Sequence, residues 1–156
     1  MIEDFDSLLV DPSYPIADAA AAALYQKMLA AQVQLLTAHG GDPTWGRRLY
    51  RCLRGCGLVA VAQEGYLSVW PGESAGVHLR RANFEQTREE AVAAGLITDA
   101  EVEQVLRLVE DPAFAIGSPV LMTAWGRRPT PAVEAGPDGR GGAHHSCIRP
   151  TATTST

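Results

Sequence analysis

The chain has 156 residues, a formal net charge of −5 and 46% apolar residues, a composition typical of one soluble globular domain. Its mild acidity argues against a nucleic-acid partner, because such proteins normally carry a basic face. No apolar run is long enough to span a bilayer, so we expect no membrane partner. The first residues lack the positive segment of a signal peptide, and three cysteines give no disulfide framework. These features predict a cytoplasmic protein.

The first part of the chain predicts a short strand, two helices and a long strand, over 1–5, 15–39, 44–55 and 58–70. Pro15 suits the first turn of a helix, and Gly40 stands where glycine commonly ends one. Asp42 followed by Pro43 marks a second helix start, with an acceptor side chain before the proline. β-Branched and aromatic residues then favour a strand, with a kink predicted at Gly65.

The second part predicts two helices, a strand and a tail, over 74–94, 98–110, 118–125 and 129–156. Thr98 and Glu101 have the spacing of a capping box, in which each side chain binds the other residue's backbone N–H. The tail is rich in proline, glycine and threonine and has few large apolar residues, so we expect it to be disordered. The sequence therefore predicts a folded domain over 1–128.

The predicted strands are few for the number of predicted helices. Strands 58–70 and 118–125 are apolar on both faces, a pattern typical of strands that are covered on both sides. Two such strands and a stub would leave unpaired edges, which are prone to aggregation. We expect the sheet to continue into strands that this chain does not contain, with 1–5 as the last strand of the absent part.

Short segments spread over residues 1–129 carry a resemblance: IEDFD at 2–6, WGRRL at 45–49, CGL at 56–58, QTR at 86–88, AGLI at 94–97, DPAF at 111–114 and AWGRRP at 124–129. This succession resembles the C-terminal half of a class I S-adenosylmethionine-dependent methyltransferase of the bacterial small-molecule type. The resemblance implies an α/β fold with a Rossmann-like sheet of seven strands, of which the last two pair antiparallel. In that sheet 1–5 would be the end of strand five, 58–70 strand six and 118–125 strand seven.

The resemblance implies S-adenosylmethionine as cofactor and a small-molecule methyl acceptor as substrate. The family holds its cofactor in the N-terminal half, at a glycine-rich turn after the first strand and an acidic residue that ends the second. The glycine clusters here, at 40–41 and 139–142, do not stand between a strand and a helix. We therefore expect a substrate-side fragment that is not competent alone, completed by another chain or by a homo-oligomer, or else truncated or started late.

The candidate site residues come from the same resemblance. Ligands of open α/β sheets lie beyond the carboxyl ends of the strands, which would bring Asp4, Phe5 and Asp6 to the rim of the acceptor site. Asp4 or Asp6 could position or deprotonate an acceptor hydroxyl, and the alternative is that both are solvated loop carboxylates. Tyr14 could lie over the acceptor, and the alternative is a packing role.

Other patterns point to structural roles. Arg47, Arg51 and Arg54 form a stripe that is typical of the wet face of an amphipathic helix, although it could meet an anionic partner. Cys52 and Cys56 are expected to pack as small apolar residues on the opposite face. A zinc site would need these thiols together with tail residues, namely His144, His145 and Cys147, and we expect no metal. A further hypothesis is a stand-alone interaction or ligand-binding module that dimerises through its sheet edge.

Overall fold

The computed structural model describes residues 1–130, so the predicted tail lies outside the described residues from 131 onward. Its strands are β1 (Ile2–Asp6), β2 (Val59–Tyr66), β3 (Val69–Pro71), β4 (Ala115–Gly117) and β5 (Val120–Arg127). Its helices are α1 (Ala19–Ala38), α2 (Leu49–Gly55), α3 (Ala75–Ala93) and α4 (Asp99–Glu110), with a 3₁₀ turn (Trp45–Arg48) leading into α2. The chain is a mixed α/β domain, and no helix within 1–130 combines the length and apolarity needed to cross a membrane.

The main sheet has three strands in the order β1-β5-β2. The strand β5 lies in the middle and runs antiparallel to both neighbours, with Asp6 opposite Val120 and Tyr66 opposite Leu121. Because both outer strands oppose β5, β1 and β2 are parallel to each other and their carboxyl ends share one edge of the sheet. A chain that returns parallel needs a long crossover, which α1, the 3₁₀ turn and α2 supply here.

The predicted strand 58–70 is wrong as one element, because it is two strands in two different sheets. Two hydrogen bonds connect Ser68 and Ser118 at the point where the chain passes from one sheet to the other. The Ser68 N–H donates to the Ser118 hydroxyl at 3.0 Å, and the Ser118 N–H donates to the Ser68 carbonyl at 2.8 Å. Beyond this point β3 pairs antiparallel with β4, a short strand that the sequence did not predict. Both strands of this two-stranded sheet are three residues long, too short to show a hydrophobic period.

Two expectations for β2 are also wrong. The kink lies near Ala60, which has a φ of +48° beside a register shift between Val59 and Ala62, and not at Gly65. A Cβ at Gly65 would lie 3.0 Å from Met122 Sδ, so this glycine lets β5 side chains approach. The strand is also exposed along most of its length, including Val59, and is not covered on both sides within the described residues.

The core lies among the helices. The side chains of α1, α3 and α4 pack with those at the sheet formed by β3 and β4. The Tyr25 ring meets the rings of Phe84 and Phe114 edge-on, with centroids 5.8 and 6.0 Å away. The predicted capping box is confirmed: Thr98 and Glu101 bind each other's backbone N–H at the start of α4. The three helices and the paired strands β3 and β4 therefore close an apolar interior together.

The sheet buries far less apolar surface than the helices do. Seven of the fifteen large apolar side chains that are exposed in the described residues belong to residues 1–14, around β1 and the loop after it. They include Ile2 and Phe5 on the strand itself. The opposite edge of β1 pairs with no strand of residues 1–130. The sheet is thus open where β1 forms its border.

Candidate functional site

A cleft of about 370 Å³ opens between α1 and α3, next to the loop that follows β1. One wall comes from α1, through Leu29, Val33 and Leu36, and is apolar. The facing wall comes from α3 and is polar, with Arg80 and Asn83 among its side chains. The volume lies within the range of small-molecule sites, about 300 Å³ and above.

A smaller cavity of about 170 Å³ adjoins the cleft at the carboxyl end of β1. The two spaces share Ser7, Arg80, Asn83 and Pro119. The smaller one is also lined by Phe5, so it reaches the sheet. Together they form one surface depression that leads from the helices to the end of the first strand.

Arg80 stands at the junction of the two cavities. The residue is half-buried, and its buried Nε atom has no hydrogen-bond partner closer than 3.5 Å within residues 1–130. No carboxylate within residues 1–130 forms an ion pair with it. A positive group in this state is costly unless it is paired. Arg80 is therefore a charged group of the cleft that has no carboxylate partner within residues 1–130.

The hydroxyl of Tyr25 lies in the core beside Arg80, and within residues 1–130 it has no hydrogen-bond partner closer than 3.5 Å. Burial raises the pKa of Tyr25 to about 12, and both the charge of the neighbouring Arg80 and hydrogen bonding from it oppose that rise. The phenol is therefore neutral at ordinary pH and leaves the Arg80 charge uncompensated.

Hydrogen bonds organise the rest of the polar wall. The Gln32 amide on α1 donates to Thr87 Oγ1 on α3 at 3.1 Å, and the Thr87 hydroxyl donates to the Asn83 carbonyl at 2.8 Å. At the outer end His39 Nε2 lies 2.7 Å from Glu90 Oε1, and both side chains are exposed. These contacts join the two helices along the cleft.

Asp6, one of the predicted site residues, is bound by Arg47 from the 3₁₀ turn. Both carboxylate oxygens accept from this guanidinium, Oδ2 from Nε and Oδ1 from Nη2 at 2.8 Å, and Oδ1 also accepts the Leu8 N–H at 3.0 Å. Hydrogen bonding from Arg47 holds the pKa of Asp6 below its ordinary value, although burial opposes this. Asp6 is thus neither a solvated loop carboxylate nor poised to accept a proton.

The position of Arg47 depends on a close approach of two backbones. Gly46 is buried against β1, and a Cβ there would lie 2.8 Å from the Asp4 carbonyl oxygen and from the Phe5 carbonyl carbon. The Gln63 amide donates to the Gly46 carbonyl at 3.1 Å and holds the turn against β2. Glycine at this position therefore lets the turn carry its arginine to the end of β1.

The other predicted site residues are dispersed. Asp4 shares a face of β1 with Asp6 because side chains alternate along a strand, and its Oδ1 accepts the Phe5 N–H at 2.8 Å. Phe5 points to the other face and borders the smaller cavity. Tyr14 is exposed and approaches Gly117, outside the cleft. The structure brings Phe5 to the cavities and leaves Asp4, Asp6 and Tyr14 away from them.

The remaining sequence candidates do not gather at one place. Cys52 is half-buried, whereas Cys56 is exposed, so the expected apolar packing of Cys56 is wrong. Within residues 1–130 no group of histidine, cysteine, aspartate or glutamate could hold a metal ion, and the three tail residues considered for zinc lie outside the described residues. Arg51 and Arg54 are exposed, as expected for the wet face of a helix.

Sequence reasoning missed Arg80, and a weak signal was present. Its neighbour Arg81 has Glu85 four residues on and pairs with it at 3.0 Å. Arg80 has Gly76 and Phe84 at the corresponding positions before and after it. It is therefore a helical arginine without a local carboxylate, although only the packing of α1 against α3 makes it part of a cleft.

The comparisons with known proteins give no relative: no family model, curated protein or solved structure matches this chain.

Proposed function

We propose that this chain is the substrate-side portion of a class I S-adenosylmethionine-dependent methyltransferase that acts on a small-molecule acceptor. The observation that carries the proposal is the arrangement of the main sheet. The strands β2 and β5 are antiparallel neighbours, as the resemblance expects of the last two strands of that family. The strand β1, proposed as the end of strand five, lies parallel to β2 and directly beside β5.

The open border of the sheet supports the same proposal. Exposed apolar residues lie on β1 and in the loop after it, and the outer edge of β1 is unpaired within residues 1–130. Unpaired edges that carry apolar side chains are a liability that proteins normally cover. Further strands added beside β1 would cover this edge and continue the sheet in the direction where the family has its cofactor half.

The described residues do not fit S-adenosylmethionine. The connection from β1 to α1 contains no glycine, and that from β3 to α3 contains one, Gly72. The carboxylate that ends β1 belongs to Asp6 and is bound by Arg47. We therefore derive no methyl-transfer step in this chain, and the cofactor would be held by residues outside it.

The cleft supplies what a substrate-side portion contributes. Holding an acceptor in a fixed orientation and excluding water from it accounts for much of the rate enhancement in group transfer, about 7–11 kcal/mol at best. The apolar α1 wall and the polar α3 wall can orient a small molecule at the carboxyl end of β1, where ligands of open α/β sheets bind.

The test is a comparison of two proteins. The first is the 156-residue chain, and the second is extended by the residues encoded in frame before Met1. Calorimetry with S-adenosylhomocysteine should give saturable binding by the extended protein only, whose added part should contain a glycine-rich strand–turn–helix. Saturable micromolar binding by the 156-residue chain, or a preceding frame without such a segment, would contradict the proposal.

A second candidate function is an interaction module that pairs β1 with a second copy of itself. The unpaired edge of β1 and the exposed Ile2 and Phe5 favour it. Sedimentation of the 156-residue chain distinguishes the two, since a defined dimer with a cooperative melt favours the module. Aggregation or a non-cooperative melt favours the methyltransferase portion.

A further inference from the structure

We infer that the cleft between α1 and α3 binds a small amphipathic carboxylate, with the anion at Arg80 and the apolar body against α1. As a statement about the methyl acceptor this rests on the proposed function. As a statement about binding it rests on the cleft alone.

The charge of Arg80 selects the anion. Other arginines form ion pairs with carboxylates: Arg47 pairs with Asp6, and Arg88 pairs with Asp99 at 2.7 Å. Arg80 has none within residues 1–130 although it lines the cleft. A guanidinium is a planar fork that matches a carboxylate through two parallel hydrogen bonds. A carboxylate bound in the cleft would therefore balance the Arg80 charge and accept hydrogen bonds from its terminal nitrogens.

The shape of the cleft selects the rest of the molecule. Leu29, Val33 and Leu36 provide an apolar wall on α1, and Pro119 adds an apolar surface near Arg80. These side chains offer nothing to a strongly hydrated ligand, and burying an apolar body against them is favourable. A sugar or a free inorganic anion would leave this wall unused.

The two ends of the cleft set the orientation. Arg80 and Glu90 are ten residues apart on α3, which corresponds to about 15 Å along the helix. The Glu90 carboxylate at the outer end, held by His39, repels an anion there. The ligand therefore places its carboxylate at the inner end, beside Ser7 and the carboxyl end of β1.

The experiment uses the 156-residue chain without cofactor and three probes of equal chain length: octanoate, octanol and octylammonium. Calorimetry should rank octanoate first, with affinity on the order of tenfold or more above octanol, as a charged hydrogen bond commonly provides. Amide chemical-shift changes should fall on α1 and α3. Equal affinity for octanoate and octanol, or no binding of either, overturns the inference.

Two variants locate the effect. Arg80→Gln should abolish the preference for octanoate and leave octanol binding unchanged. Arg81→Gln is the matched control, because the neighbouring Arg81 pairs with Glu85 and Glu110 outside the cleft, and it should keep the preference. Thermal melting checks that both variants are folded. An unchanged preference in folded Arg80→Gln overturns the inference.

A filled cleft gives an independent readout. Val33→Trp places a large ring against the apolar wall and should weaken octanoate and octanol alike, which is expected only if the body lies there. Octanoate binding that survives this change in a folded variant overturns the assignment of the wall. If the 156-residue chain binds octanoate but the extended protein methylates no carboxylate of this kind, the result contradicts the proposed function and leaves the binding inference standing.

Discussion

The packed helices and the three-stranded sheet differ in how completely they bury their apolar side chains. In the helical region Tyr25, Phe84 and Val105 are fully buried, whereas on β1 the side chains of Ile2 and Phe5 are 40% and 45% exposed. The helices present apolar faces to each other, while the outer edge of β1 pairs with no strand of residues 1–130.

This contrast indicates that the stability of the β1 border, unlike that of the helical core, depends on what covers it. A closed apolar core stabilises its elements whatever surrounds it. A sheet border with exposed apolar side chains gains stability only when something covers it. We therefore expect changes among the helices to act on folding strongly and changes on β1 to act weakly until the border is covered.

The largest expected effect comes from truncating the helical core. Phe84→Ala should lower the free energy of unfolding by about 3–5 kcal/mol, because it removes a fully buried ring that packs on Tyr25. Phe5→Ala on β1 should cost less than about 1 kcal/mol, since the ring is already half in water. Urea unfolding of both variants measures the difference. Equal losses would break the comparison between the two regions.

A smaller effect is expected where the 3₁₀ turn touches β1. Gly46→Ala should destabilise the protein by about 1–3 kcal/mol, because the added methyl meets the backbone of Asp4 and Phe5. Gly55→Ala in α2 is the control, since a methyl there meets nothing within 4 Å and alanine favours a helix. Thermal melts should move in opposite directions. A neutral Gly46→Ala would mean that the turn is not held against the strand.

A smaller effect still concerns pH. Arg47 holds the pKa of Asp6 below its ordinary 3.8, so the pair stabilises the fold fully above that value and its contribution is lost as the pH falls toward the lower folded value. Asp6→Asn should therefore be less stable than the parent at pH 7, and the two should converge below about pH 4. Stability measured across pH 2–8 tests this. A difference in the free energy of unfolding that stays constant from pH 8 to pH 2 would contradict this pH dependence.

A surface pair on the helices sharpens the pH comparison. Hydrogen bonding from Lys27 lowers the pKa of Glu101 to about 2, but both partners are partly in solvent. Added salt should shrink the effect of Glu101→Gln, because exposed pairs are screened. It should change the effect of Asp6→Asn less, since that carboxylate is buried. The same salt dependence for both would show that the end of β1 is open to water.

Local signals predicted most of the elements. Helix 74–94 is observed as Ala75–Ala93 with Ser74 as its N-cap, and the capping box before α4 is present. The first helix, predicted from Pro15, begins only at Ala19, because Asp18 caps it and Pro15 lies in the loop. These signals act over three or four residues, so they can be read from sequence without knowing the fold.

The candidate site was predicted only in part. Phe5 lies beside the cavities, as a residue near the end of a strand should, but Asp6 is engaged by an arginine forty-one positions away. The role of Arg80 was not predicted, because it depends on α1 and α3 facing each other. No local pattern reports which distant side chain will meet a given charge.

The sequence by itself determined that four helical segments are present and the caps that open α3 and α4, because caps and helical periodicity arise from hydrogen bonds between near neighbours. The tertiary structure decided that one apolar segment would serve two sheets, that Arg47 would bind Asp6 and that Arg80 would have no carboxylate partner within residues 1–130. Such outcomes depend on which surfaces pack together, and packing joins residues that are far apart in the chain.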